Sequence, residues 1–104
     1  MRTVAETPIF IRYASEIWSE AERQEFIAFI AANPEAGAVI RGSGGCRKVR
    51  WSRSGIGKRG GARVIYFVPD DGVVWLLIVY TKAKFDALPT SFLAQLRQGV
   101  EDAL

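Results

Sequence analysis

The stretch ARVIYFVPDDGVVWLLIVYTK, residues 62–82, decides the fold. Residues 62–68 are rich in β-branched and aromatic side chains, and residues 73–82 are apolar on both faces over most of their length. Both runs fit strands, and the second should be central and buried. Between them Pro69-Asp70-Asp71-Gly72 reads as a tight turn, because Asp-Gly tolerates the positive φ that hairpins require. Turn chemistry explains the two aspartates better than metal binding does. Strands joined by so short a link run antiparallel.

Working outward, residues 46–51 read as a further strand, residues 52–61 as a loop and residues 41–45 as a glycine-rich loop. Residues 7–13, TPIFIRY, are β-branched and aromatic enough to predict a short strand. Residues 14–18 follow as one or two helical turns. Ser19-Glu20-Ala21-Glu22 is a capping box, and Ala21, Phe26, Ile27, Phe29 and Ile30 continue with mostly helical spacing. That helix should stop near Asn33-Pro34, since proline disfavours α geometry in the residue before it. Beyond Leu88-Pro89-Thr90-Ser91, a last helix carries Phe92, Leu93, Leu96, Val100 and Leu104 as one apolar stripe. The expected class is α+β in the order β-α(α)-β-β-β-α. A small antiparallel sheet would carry the N-terminal helices and the C-terminal helix packed on one face.

The chain has 104 residues, which fits one domain spanning 1–104. Its 49% hydrophobic fraction is too high for a disordered chain. Residues 1–12 lack the apolar run of a secretory leader, and the longest apolar stretch, residues 73–80, is far short of the roughly 20 residues that span a bilayer. The expectation is a soluble cytoplasmic protein without membrane contact. Histidine is absent, which removes the commonest general base and the commonest neutral metal ligand. Cys46 is the single cysteine; with no histidine to activate it, it reads as a small strand residue despite its basic surroundings.

Charge is unevenly placed. The formal net charge is +3, yet Arg41, Arg47, Lys48, Arg50, Arg53, Lys58, Arg59 and Arg63 form a run with no acid, and the rest of the chain is net acidic. Solubility favours mixed signs, so this block points to an anionic partner. Strand alternation puts Lys48 and Arg50 on one face, and Arg47, Val49 and Trp51 on the other, which is apolar enough to meet helices. Arg63 opens the next strand. Tyr80 and Lys82 share a face of the last strand, with Lys84 just beyond. Together with Tyr80 or Tyr66 these side chains would form a basic surface with interleaved aromatics, suited to a nucleic-acid backbone and stacked bases. The same reading assigns Arg47, Arg53, Lys58, Arg59 and Lys84 to RNA contact. GIGKRG, residues 55–60, matches G-x-G-x-x-G by letter, but a strand rather than a helix follows, and Lys58 lacks the Ser or Thr of a phosphate loop.

GGCRKVRW (44–51), GKRGGARVIYF (57–67) and LLIVYTK (76–82), with NPEAG (33–37) before them, closely resemble toxins of the RelE/HigB branch of type II toxin–antitoxin systems. The resemblance covers nearly the whole chain. It implies a small αβ fold and a ribosome-dependent endoribonuclease that cuts mRNA in the A site, with no cofactor. It also implies a cognate antitoxin, often with a helix-turn-helix domain, and contact with operator DNA only through the antitoxin complex. The family's basic strand pair lands on Lys48 and Arg50, the arginine opening the next strand on Arg63, and the basic position after the last strand on Lys82. Several relatives place a tyrosine shortly beyond, where this chain has Phe85. In the implied reaction the mRNA 2′-hydroxyl attacks the adjacent phosphorus. Arg50 and Arg63 would hold the phosphoryl oxygens, Lys48 or Lys82 would carry protons, and Tyr80 and Tyr66 would be fallback carriers or stacking platforms. There are two rival readings: a ParE-like gyrase poison, against which the basic set argues because that branch generally lacks it, and a non-catalytic RNA- or ribosome-binding module, which the same basic block would serve.

Overall fold

The computed structural model describes residues 1–51 and 61–103. Its elements are β1 (Val4–Glu6), α1 (Pro8–Ile17), α2 (Glu20–Ala32), β2 (Ala38–Val39), β3 (Arg47–Trp51), β4 (Ala62–Phe67), β5 (Val74–Thr81) and α3 (Thr90–Ala103). They build one five-stranded sheet in the order β1-β5-β4-β3-β2. The β3–β4 and β4–β5 pairs are antiparallel, as expected; the unpredicted β2 adds an antiparallel pair beside β3, and β1 pairs parallel with β5, so the sheet is mixed instead of wholly antiparallel.

The β4–β5 turn forms where Asp-Gly places it. Gly72 adopts φ 82°, its N–H donates to Pro69 O at 2.9 Å, and Asp71 Oδ1 accepts from Val73 N–H at 3.0 Å. The capping box is also present: Ser19 Oγ accepts from Glu22 N–H at 3.2 Å, and Glu22 Oε1 accepts from Ser19 N–H at 2.8 Å. Helix α2 ends at Ala32, one residue before Asn33-Pro34.

Residues 7–13 do not form the predicted strand. Thr7 instead caps α1, accepting from Phe10 N–H at 3.2 Å and donating to Leu76 O at 2.9 Å. Pro8 takes the first helical position, where a missing N–H costs nothing and φ is already helical. Phe10 and Ala14, one turn apart, then bury completely. Ile9, Phe10, Ile11 and Tyr13 suit either state by propensity; cap and proline together select the helix. The strand lies just upstream as β1.

The sheet has apolar clusters on both faces. On one, Phe10, Ala14 and Trp18 with Phe26 and Ile30 of α2 meet Val64, Tyr66, Val74, Leu76 and Val79. On the other, Leu93 and Val100 of α3 meet Cys46, Ile65, Phe67, Leu77, Ile78 and Tyr80. Helix α3 therefore covers the opposite face from α1 and α2, unlike the one-sided packing expected. The cause is the two-sided apolarity of β4 and β5, which needs cover on both sides. A β-bulge adds to it: Ile65 pairs with Ile78 and Tyr66 with Leu76, so Leu77 is an extra residue on β5 and turns toward α3. Leu104, the last position of the predicted stripe, lies outside the described residues.

Replacing Thr7 by Ala removes the α1 cap and its bond to β5. Stability should fall by about 1–2 kcal/mol, read as a lower urea midpoint with unchanged slope; an unchanged midpoint would show that the cap contributes nothing.

Candidate nucleic-acid interface

Register and alternation place the basic residues. Arg50 of β3 lies directly across from Arg63 of β4, and Arg63 directly across from Tyr80 of β5. These three form one row on the face that α3 covers further along. Lys48, two residues before Arg50, sits across from Ile65 on the same face. Lys48 and Arg50 are exposed, while Val49 and Trp51 turn inward against α2. Lys82 is exposed one residue beyond β5, and Thr81 pairs with Ala62, so Lys82 stands at the Arg63 end of the sheet. Among the described residues none of Lys48, Arg50, Arg63 and Lys82 forms an ion pair. Like charges directly opposite across a strand pair are destabilising. Two arginines held so, without a carboxylate, form a surface ready to receive an oxyanion.

Other members of the predicted set are placed elsewhere. Tyr66 faces the α1/α2 cluster and is fully buried; its hydroxyl donates to Pro34 O at 2.8 Å and accepts from Gly37 N–H at 2.8 Å. Arg47, across from Tyr66, donates from Nη1 to Gly37 O at 2.7 Å. The pair clamps residues 34–37 behind β3, so neither reaches the Lys48/Arg50 face. Gly37 is required there, because a Cβ would stand 2.9 Å from both Lys48 O and the Tyr66 ring. Tyr80 is in the basic row but only 2% exposed, so it underlies Arg63 instead of offering a ring to a base. Phe85 packs edge-on against Tyr80 at 6.1 Å and parallel to Tyr13 at 6.2 Å. Lys84 turns toward α1, with Nζ 3.3 Å from Glu16 Oε2 and 5.2 Å from the centre of the Tyr13 ring. Arg53, Lys58 and Arg59 lie outside the described residues.

Cys46 is buried as a structural residue, its Sγ 3.6 Å from Ser43 O and 3.7 Å from Leu93 O. Burial pushes its thiol pKa up, opposite to what an activated thiolate needs. Burial likewise raises the Tyr66 and Tyr80 hydroxyls, with Arg63 partly offsetting the rise at Tyr80. Sequence reasoning missed Arg97. On α3 it pairs with Glu101, lies over the Phe67 ring at 5.9 Å and fits against Gly44. A Cβ at Gly44 would stand 2.7 Å from Arg97 Nε, and Gly44 has φ 79°. Arg97 thus ties α3 to the loop that leads into β3. The Arg97/Glu101 spacing was visible as a helical pair, but its reach to the loop was not. Among the described residues no group of three or more Cys, Asp or Glu is placed to hold a metal ion, and no helix is long and apolar enough to cross a membrane.

The mixed α+β fold, with helices on both faces of a five-stranded sheet, is similar to that of a RelE toxin. Among the solved structures it matches is E. coli toxin RelE, a doubly substituted mutant in the free state. The two share 21% identity over 92% of this chain and 96% of that one, with a TM-score of 0.56. No family model matches the chain.

Cys46, Tyr66 and Tyr80 make the fold alkali-sensitive. Their ordinary pKa values are 9.0 for the thiol and 10.0 for the phenols, and folding raises all three. The folded state then binds more protons than the unfolded chain at high pH, so stability declines as pH rises. Their contribution should be complete below about pH 8 and be lost progressively above about pH 9. Urea midpoints across that range check this; a midpoint that rises with alkali contradicts it.

Proposed function

We propose that residues 1–104 form the toxin of a type II toxin–antitoxin module, a metal-independent endoribonuclease that cuts mRNA in the ribosomal A site. The observation that carries this reading is the cationic row, without an ion pair among the described residues: Arg50 across from Arg63 with Lys48 alongside and Lys82 at its end, on a RelE-like fold. The planar, permanently charged guanidiniums of Arg50 and Arg63 suit a phosphate held by two oxygens. In the reaction, the mRNA 2′-oxygen bonds to the adjacent phosphorus and the bond from phosphorus to the 5′-oxygen breaks. The products are a 2′,3′-cyclic phosphate and a 5′-hydroxyl. One amine of Lys48 and Lys82 takes the 2′ proton, and the other gives a proton to the leaving 5′-oxygen. Tyr66 has no part in this, since its hydroxyl is committed on the opposite face. The ribosome supplies the alignment of the mRNA, so the free protein cuts naked RNA poorly. A cognate antitoxin with a helix-turn-helix domain neutralises the toxin in the cytoplasm, and operator DNA is bound only through their complex.

Induction in cells followed by mapping of mRNA 5′ ends tests the reading. Translated messages should acquire new 5′-hydroxyl ends; growth arrest over intact mRNA would refute it. Lys48→Ala and Arg63→Ala should each lower cleavage on programmed ribosomes by about 100-fold or more, with circular dichroism and thermal midpoint retained. Full activity in both variants would remove the site assignment.

A further inference from the structure

Lys82 differs from the rest of the cationic set in lying outside a strand. Lys48, Arg50 and Arg63 take their directions from sheet pairing, while Lys82 belongs to the turn that follows β5. Thr81 O closes that turn, accepting from the N–H groups of Lys84 and Phe85 at 3.1 Å each. The side chains of Lys84 and Phe85 both reach back to α1, and both meet Tyr13. The Lys84 ammonium lies 5.2 Å from the Tyr13 ring centre and 3.3 Å from Glu16 Oε2, one turn of α1 further along. The Phe85 ring lies parallel to Tyr13, at 6.2 Å and 11°, and its other aromatic neighbour is Tyr80, directly across from Arg63. Tyr13 itself is half-buried, and its hydroxyl makes no hydrogen bond among the described residues. Its contribution is therefore the ring.

We propose that Tyr13 is a positioning residue for Lys82: with Phe85 and Lys84 it clasps the 82–85 turn to α1 and so fixes the direction of the Lys82 amine beside Arg63. The inference rests on the functional reading above, in that Lys82 serves the reaction. It explains why Lys84, a cation at the rim of the basic face, is turned to an acid on a helix. It also predicts that the ring matters and the hydroxyl does not.

Two measurements on the full chain test it. The first needs no activity: acylation of lysines by an amine reagent, read residue by residue by mass spectrometry. In Tyr13→Leu the reactivity of Lys82 should change at least about twofold while that of Lys48 stays at the wild-type level, and Tyr13→Phe should leave both unchanged. The second is cleavage of ribosome-bound mRNA. Tyr13→Leu should lower kcat about tenfold with KM little changed, and Tyr13→Phe should restore it to within about twofold. Should Tyr13→Leu fail to fold, Glu16→Gln replaces it at an exposed position. Removing an acid beside a cationic site favours RNA binding by electrostatics alone, so a rate lowered about threefold supports the clasp, and an unchanged or higher rate overturns it. Unaltered Lys82 reactivity in folded Tyr13→Leu, or wild-type cleavage by it, also overturns the inference. Failure of the wild-type chain to cut mRNA would instead strike the functional reading and leave the lysine-reactivity result to decide the clasp.

Discussion

Strands β4 and β5 bury side chains on both of their faces, and the remaining elements are disposed around that requirement. Helices α1 and α2 close one side through Phe10, Phe26 and Ile30, and α3 closes part of the other through Leu93 and Val100. The extra residue Leu77 gives the second side one more apolar group than strict alternation allows. Cover by α3 reaches Ile65, Phe67 and Ile78, and the Arg50/Arg63 end of the same face carries exposed charge instead of a helix. The cationic row and the second core thus share one sheet face, divided along the strands. Burial of a large apolar side chain contributes about 1.5–3 kcal/mol, so a well-filled core on each face can hold two arginines against their mutual repulsion.

The basic block divides by the period of a strand. Of its residues in β3, Arg47 turns to the α1/α2 side and holds Gly37 O, whereas Lys48 and Arg50 turn to the open side. One charge is spent on shape and two remain available. Tyr66 repeats the pattern from the next strand: it faces inward, and its hydroxyl satisfies Pro34 O and Gly37 N–H. The buried hydroxyl and its backbone partners would cost free energy if left unpaired. Residues 34–37 are thereby fixed behind the strand that carries Lys48, which makes the support of the site as sequence-dependent as the site itself.

How much of this was legible in the sequence follows from the range of each interaction. The β4–β5 hairpin, the Ser19–Glu22 cap, the stop at Asn33-Pro34 and the alternation of β3 depend on residues a few positions apart, and all are readable directly. Strand β2 has two residues and no period to detect. At Thr7–Tyr13, propensity pointed to a strand, but Thr7 is fixed by Leu76 O, 69 residues away. The side taken by α3 was implied by the two-sided apolarity of residues 73–82, yet a stripe on a helix does not say which face of a sheet it meets. Lys48, Arg50 and Arg63 were readable because pairing fixes strand residues in rows. Alternation put Arg47 on its side of the sheet, but the contacts that take Arg47, Tyr66 and Lys84 out of the RNA-facing set were not readable, because their partners, in residues 34–37 and on α1, are distant in the chain.

Proton handling is the other consequence of composition. With no histidine in the chain and the Tyr66 and Tyr80 hydroxyls buried and raised in pKa, the groups at the open end of the sheet are amines and guanidiniums. Guanidiniums stay charged throughout the accessible pH range and hold an oxyanion without exchanging protons. Under the proposed reaction, proton transfer then falls to lysine, whose long flexible stem gives poor alignment unless something restrains it. A strand supplies that restraint for Lys48. Lys82 has no strand, and the turn that carries it is joined to α1 through the rings of Phe85 and Tyr13. A site built of flexible cations on a small sheet depends on such contacts as much as on the charges themselves, because an amine misplaced by an ångström gives up most of the advantage of being close.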